Sequence, residues 1–231
     1  MTPVLELVAV SRDYRGLRPL RIAELSVAAG ERVALLGLDA PAAEVFVNLA
    51  TGTALPDAGE VALFGRATSA IADSADWLAT VDRVGIVSDR AVLLEELTAI
   101  QNLAMPFTLA IEPPADEVRA RATAIAREVA LPETAWNAPV SRLDAAGKVR
   151  VRLGRAVALD PALLLLEHAS ASVARGSVAA LAADIAAVAS ARHSALVALS
   201  ADDAFARAVA TRILTLQPAT GVLKERRRGW F

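Results

Sequence analysis

The feature that most constrains this chain is a set of short apolar runs with no polar residue inside them. Residues 33–36 form one such run, which Gly37 closes, and residues 163–166 and 195–199 form two more. An apolar run of this length without alternation predicts a strand that is buried on both faces. Strands that alternate with helices predict an α/β fold with a parallel sheet at its core. The segments of helical period lie at residues 41–51, 145–159 and 177–191.

The regions around this core differ from it in pattern. Residues 5–10 alternate, and residues 20–29 are a second extended stretch, so the chain is expected to begin with a β region. From residue 95 to about 138 the chain has helical character interrupted by prolines, which predicts a helical insertion between two segments of the sheet. Shorter elements complete the expectation, with strands at 84–87 and 212–216 and a helix at 202–210.

Composition excludes several classes of function. The chain has 231 residues, a formal net charge of -2 and 4% aromatic residues, which argues against a binding surface for DNA or RNA. It has no cysteine, so disulfides, thiol catalysis and cysteine-bound metals are excluded. Only Lys148 and Lys224 are available to a mechanism that needs a lysine. Since no secretory leader and no apolar run of about 18 residues is present, we expect a cytoplasmic protein.

Several motifs recur in order along the chain and resemble those of the ATP-binding subunits of ABC transporters. They are VSRDY at 10–14, GERVALLG at 30–37, TG and LPDAGEV within 51–61, LLEELTAIQNLAMPF at 93–107, and LGRAVALDPALLLLEHASASV at 153–173. The likeness covers roughly residues 4–223 and is nearest to the lipoprotein-release and macrolide-export branch. It implies an α/β, P-loop NTPase-like ABC ATPase domain over residues 1–223, with an N-terminal antiparallel β region, a parallel-sheet core and a helical subdomain at about 93–142.

The phosphate-binding loop of this family needs glycines whose backbone N–H groups wrap the phosphates, a lysine at the β- and γ-phosphates, and a hydroxyl on Mg²⁺. Residues 37–45 read GLDAPAAEV, in which only Gly37 remains of the glycines. By resemblance, Ala43 stands at the lysine position, and Glu44 and Val45 stand at the two hydroxyl positions. Together with Asp39, these changes shift the loop by about three charge units toward repelling a triphosphate. A structural role is open to Asp39, which can cap the following helix.

The other motifs of the family have lost their chemistry in the same way. Glu167 could still hold Mg²⁺ and His168 could accept a proton, but a base without a positioned phosphate has nothing to act on. By resemblance, Tyr14 stands at the position that stacks on adenine, Asp89 at the Q-loop glutamine and Ala201 at the switch histidine. Glu167 stands at the Walker B aspartate and His168 at the catalytic glutamate. The signature motif falls on Asp144, Ala145, Ala146 and Gly147.

The intact apolar pattern and the missing catalytic groups predict a subunit that has kept the ABC fold and lost ATP binding and hydrolysis. We expect no cofactor, with ATP and Mg²⁺ bound only if the family function survives. The resemblance implies a transporter permease, a second ATP-binding subunit or a second copy of the chain as partner, at the inner face of the cell membrane. Two alternatives stay open, an ATP-hydrolysing subunit with atypical motifs and a soluble scaffold or regulatory protein.

Two segments are candidates for contact with a partner. Residues 89–107 correspond to the region that receives the permease, where four apolar side chains either contact it or pack in the core. These side chains are Leu93, Leu94, Leu97 and Met105. A tail at 224–231, KERRRGWF, either rests on anionic lipid or on a partner, or is a disordered end. Its basic cluster and aromatic end are Arg226, Arg227, Arg228, Trp230 and Phe231.

Overall fold

The computed structural model describes residues 2–226, which form two β-sheets and the helices packed on them. The strands are β1 (Leu5–Arg12), β2 (Leu20–Val27), β3 (Arg32–Leu36), β4 (Ala58–Leu63), β5 (Arg66–Ala67), β6 (Val84–Val87), β7 (Leu163–Glu167), β8 (Ala195–Ser200), β9 (Arg212–Gln217) and β10 (Val222–Glu225). The α-helices are α1 (Ala40–Ala50), α2 (Ser74–Val81), α3 (Ala99–Ala104), α4 (Asp116–Glu128), α5 (Glu133–Trp136), α6 (Ala145–Val157), α7 (Arg175–Ala191) and α8 (Asp203–Val209). Within residues 2–226, no helix is long and apolar enough to cross a membrane.

The larger sheet confirms the predicted parallel core. Its strand order is β10-β9-β3-β8-β7-β6, and every pair is parallel except β10 with β9. The four leucines of β7 are all buried and alternate between the two faces. Leu164 and Leu166 pack with helices α6 and α7, whereas Leu163 and Leu165 pack with α1 and the smaller sheet. The uninterrupted apolar run therefore reflects a strand with a hydrophobic core on each side.

The smaller sheet confirms the predicted N-terminal antiparallel β region. Its order is β2-β1-β4-β5, and all of its strand pairs are antiparallel. Leu5 lies opposite Val27 of β2 and Leu63 of β4, and all three side chains are buried. This sheet covers α1, so the helix is enclosed between the two sheets.

The predicted helical insertion has the right position but the wrong extent. Residues 93–98 form a loop, and the insertion contains only the shorter helices α3, α4 and α5. The loop is held by the buried Asn102 side chain, which donates to the carbonyl oxygens of Leu94 at 2.9 Å and Thr98 at 3.0 Å. Thr98 and Gln101 then form a capping box that starts α3 at Ala99. These side-chain bonds compete with helical backbone bonds in the loop.

Three of these strands and helices were not predicted, namely the two-residue strand β5, helix α2 and strand β10. Helix α2 begins at Ser74, after its cap Asp73, and none of its side chains is fully buried. Strand β10 includes Lys224 and Glu225, which were predicted to belong to the tail. Their backbone pairs with β9 while their side chains stay exposed, so the charge pattern concealed the strand. Arg226 follows β10, and the tail residues Arg227, Arg228, Trp230 and Phe231 lie outside the described residues.

Gly85 determines how closely β6 approaches α6. A Cβ on Gly85 would lie 2.6 Å from the carbonyl oxygen of Ala156 and 2.7 Å from the Leu164 side chain. We expect Gly85→Ala to lower the free energy of unfolding by about 2 kcal/mol, because the backbone of α6 at Ala156 cannot move away from the added methyl group. Urea denaturation measures this change.

Gly176 in α7 is the matched control, since nothing lies within 4 Å of an added Cβ there. Gly176→Ala should leave stability unchanged or raise it by up to about 1 kcal/mol. Equal losses in the two variants would show that the contact of β6 with α6 is not the cause.

Candidate functional site

The carboxyl ends of four parallel strands bring most of the predicted site residues to one edge of the larger sheet. Strand β3 leads into residues 37–45, β6 into Asp89, β7 into His168 and β8 into Ala201. In open α/β sheets, ligands bind at this edge because the loops that follow the strands meet there. The tertiary fold therefore assembles residues that are far apart in the sequence.

The loop between β3 and α1 is an ordinary capped helix start. Gly37 has a φ of +94° and lies so close to β9 that an added Cβ would be 3.1 Å from the carbonyl oxygen of Leu216. Asp39 is the N-cap of α1, and its carboxylate accepts a hydrogen bond from the Ala42 N–H at 2.9 Å. The Ala43 N–H donates to the Asp39 carbonyl oxygen at 2.9 Å. Both amides are thus satisfied within the chain, as the structural interpretation of Asp39 predicted.

Residues 37–45 contain no lysine, and the two lysines of the chain lie on other elements. Ala43 is completely buried against the core between the sheets, and Val45 packs partly against the same core. Lys148 lies on α6, where its Nζ is 2.8 Å from a carboxylate oxygen of Glu95. Lys224 lies in β10. The two lysines of the chain are therefore engaged elsewhere or placed on another element.

The cation at this edge is Arg90, which the sequence analysis did not single out. Its Nη2 is 2.6 Å from Glu167 Oε2, and its Nε is 3.2 Å from the same oxygen. Its Nη1 is 3.2 Å from Glu44 Oε1. The hydrogen bond to Glu167, together with the charges of Glu167 and Glu44, raises the pKa of Arg90 against the effect of burial. Glu44 and Glu167, the positions that by resemblance contact Mg²⁺, therefore share one guanidinium group.

The segment that carries Arg90 is itself anchored to α6. Asp89 has an oxygen 2.6 Å from Arg152 Nη1, and the Arg152 Nε donates to the Ala91 carbonyl oxygen at 3.2 Å. The Ser88 hydroxyl accepts from the Arg90 backbone N–H at 3.1 Å. Asp89, predicted at the Q-loop glutamine position, thus forms an ion pair with the helical part of the domain.

His168 lines a cavity of about 590 Å³ beside the ends of β7 and β8. Its backbone has a φ of +46°, and its N–H donates to the Leu199 carbonyl oxygen at 2.9 Å. The ring Nε2 is buried and has no hydrogen-bond partner among residues 2–226. Ala201 and Ser170 line the same cavity. The positions predicted for the catalytic glutamate and the switch histidine therefore lie together, without a carboxylate at the first or an imidazole at the second.

The signature positions begin α6. Asp144 is the N-cap, and its carboxylate accepts from the Gly147 N–H at 2.7 Å. Ala145 packs partly against the core and Ala146 is buried. The Asp144 carboxylate therefore satisfies the start of its own helix, as the Asp39 carboxylate does for α1.

Tyr14 lies near the start of α1. It lines a cavity of about 660 Å³ together with Gly37 and Asp39, so the predicted adenine position does adjoin the phosphate loop. Partial burial and, next, the negative charge of Asp39 raise the pKa of the Tyr14 hydroxyl. A Cβ on Gly16 would lie 2.6 Å from the Tyr14 ring, so the loop packs closely against the ring edge. The basic residues around this cavity are Arg15, Arg18 and Arg21.

These side chains do not fit a magnesium–nucleotide group held as in the ABC family. Such a site needs free backbone N–H groups, a lysine and a hydroxyl ligand. Here the Asp39 carboxylate holds the helix start, and Arg90 binds both Glu44 and Glu167. Residues 2–226 contain no group of three or more histidine, aspartate or glutamate side chains that could hold a metal ion.

Comparison with known sequences places this arrangement among transport proteins. The ABC transporter family profile matches residues 20–171. LolD, the lipoprotein-releasing system ATP-binding protein of Maricaulis maris, is 35% identical over 169 residues, covering 71% of this chain and 73% of LolD. MetN, the methionine import ATP-binding protein of Brucella abortus, is 30% identical over 172 residues, or 74% of this chain. The matched region is only 46% of MetN.

Solved structures share the fold. MJ0796, an ATP-binding cassette seen as a dimer bound to ADP and Pi, superposes with a TM-score of 0.77 at 22% identity, covering 98% of this chain and 100% of that one. The cbiO1 protein of Clostridium perfringens, part of the ABC transporter complex cbiONQ, has a TM-score of 0.80 at 16% identity, covering 97% and 88%. At these identities the likeness shows the fold alone.

The cap of α1 can be tested by changing Asp39. Asp39→Ala removes the carboxylate that accepts from the Ala42 N–H, and we expect a loss of about 1 kcal/mol in the free energy of unfolding. Asp39→Asn is the matched control, since the amide oxygen keeps the cap, and its loss should stay below about 0.5 kcal/mol. Urea denaturation measures both, and equal values for the two variants would contradict the capping role.

Proposed function

The chain belongs to the ABC transporter family. From the contacts at the carboxyl edge of its larger sheet, we propose that it is an ATP-binding-subunit-like protein that has lost ATP binding and hydrolysis. It acts in this proposal as a structural or regulatory subunit of a membrane transporter complex, without ATP or Mg²⁺ as cofactor. LolD and MetN are ATP-binding proteins of lipoprotein release and methionine import.

The observation that carries the proposal is the Asp39 carboxylate at the start of α1. A helix N-terminus attracts one anionic group, and here the chain supplies it. A phosphate brought to the same amides would lie close to this carboxylate and would have no lysine to offset the repulsion. At an effective dielectric constant of about 20, one such pair at about 4 Å costs on the order of 4 kcal/mol. That is roughly a thousandfold in affinity.

The proposed site for the permease is a groove between β6 and α6 with a volume of about 370 Å³. Met105 lines this groove and, like Leu97, packs partly against the core, whereas Leu93 is buried and Leu94 is 39% exposed. Of the four apolar residues at 93–105, three pack in or against the core, and Met105 is the one that also lines the groove.

The groove also carries positive charge. Arg155 lines it, and its Nη1 donates to the Val92 carbonyl oxygen at 2.7 Å. Burial, followed by the neighbouring charge of Arg152, lowers the pKa of Arg155. We propose a permease segment that combines apolar and acidic residues, which would place the chain in the cytoplasm at the inner face of the membrane. A second ATP-binding subunit or a second copy of the chain is the proposed partner at the carboxyl edge of the sheet.

The loss of ATP binding predicts a negative result in a direct titration. Calorimetry with Mg-ATP should give no saturable heat at low micromolar protein and nucleotide, and phosphate release should not exceed the background. LolD under the same conditions is the positive control. A dissociation constant in the low micromolar range, with or without turnover, would overturn the proposal and favour the ATP-binding alternative.

The groove predicts which substitution weakens assembly. Leu159 lines it and is 54% exposed, so Leu159→Glu should fold normally and reduce recovery of the permease with the tagged full chain from native membranes. Leu17, which is fully exposed beside Tyr14, is the matched control, and Leu17→Glu should leave recovery unchanged. Mass spectrometry of the recovered subunits measures both. Recovery of soluble proteins alone would favour the scaffold alternative.

A further inference from the structure

We propose that Arg90 takes the place of a divalent cation between Glu44 and Glu167, so that the chain itself supplies the positive charge that bridges these two carboxylates at this edge of the sheet. The inference deepens the proposed loss of nucleotide binding and rests on it. It starts from one geometric fact, that a single guanidinium group contacts a carboxylate of α1 and a carboxylate of β7 at once.

The two carboxylates differ in how much they depend on this cation. The Glu167 side chain is 10% exposed and receives three hydrogen bonds from Arg90, one from Nη2 at 2.6 Å and two from Nε at 3.2 Å and 3.3 Å. The Glu44 side chain is 47% exposed and receives one at 3.2 Å. A mostly buried carboxylate is destabilising unless it is paired, so Glu167 requires a cation and Arg90 provides it. The planar guanidinium suits this role because its N–H groups diverge toward two acceptors.

The contact also joins three segments that lie far apart in the sequence. Arg90 belongs to the segment after β6, and its partners belong to α1 and β7. The adjacent Asp89 pairs with Arg152 of α6. Residues 89 and 90 therefore connect α1, β7 and α6 by three ion pairs. No bound ligand is needed to hold these elements together.

Removal of Arg90 should expose a cation site that the wild-type chain hides. In Arg90→Gln, the Glu44 and Glu167 carboxylates lose their shared partner, and a divalent cation can replace it. We expect the melting temperature of Arg90→Gln to fall by about 5 °C. Addition of 5 mM MnCl₂ should then raise it by about 3 °C, whereas the wild-type value should move by less than about 1 °C.

Three further variants control the experiment. Arg66→Gln removes a surface ion pair of the same length, 2.6 Å to Asp76, from a side chain with 47% exposure against 43% for Arg90, and it should not respond to MnCl₂. Arg90→Gln with Glu167→Gln should lose the response, because one of the two ligands is gone. Arg90→Lys keeps the positive charge and should exclude the metal. Circular dichroism before heating establishes that each variant is folded.

The outcomes separate this inference from the proposed function. A response to MnCl₂ confined to Arg90→Gln supports the replacement of a cation by Arg90. If Arg90→Gln does not respond, or if the wild type responds equally, the inference is overturned, while the absence of ATP binding in the wild type would still stand. If the wild type binds Mg-ATP and Arg90→Gln does not, Arg90 is a phosphate ligand. Both the inference and the proposed function would then be wrong.

Discussion

The burial of the parallel sheet on both faces is the constraint on which the rest of the structure depends. Strands β3, β7 and β8 carry apolar side chains on each face, so polar chemistry is confined to the loops at the strand ends. That restriction explains why the site residues meet at a single edge although more than a hundred positions separate Asp39 from Glu167. It also explains why the chain keeps the ABC fold at low identity, because the fold needs only the apolar pattern.

The charged side chains at the carboxyl edge of the larger sheet determine which ligands can bind there. Asp39 and Asp144 cap the helices α1 and α6, so each helix start already has an anionic oxygen. Glu44 and Glu167 already have a cation in Arg90. The chain thus supplies from its own side chains a partner for each of these groups. These internal contacts are the physical basis of the proposed loss of nucleotide binding, because a nucleotide would have to displace hydrogen bonds and ion pairs that the chain already forms.

The matches to LolD and MetN place the chain in a family whose named members bind ATP. The side chains at the carboxyl edge of its larger sheet can therefore be compared with what ATP binding requires. The packing that supports the edge remains, as the buried Ala43 and Phe46 of α1 show. A scaffold that keeps its core while its polar edge changes is expected when contact with partners outlasts catalysis. Stability depends on the core, whereas catalysis depends on a few polar groups at the surface.

The sequence by itself determined the fold class, the strands that form the core and the absence of a lysine from residues 37–45. Those properties are local, since apolar period and residue identity can be read within one segment. It could not reveal β10, whose exposed charged side chains conceal a backbone pairing, or α2, none of whose side chains is fully buried. Nor could it identify Arg90, one arginine among many in the chain. Only the tertiary structure decided that this arginine meets Glu44 and Glu167, because ion pairs between distant segments depend on where the strand ends converge.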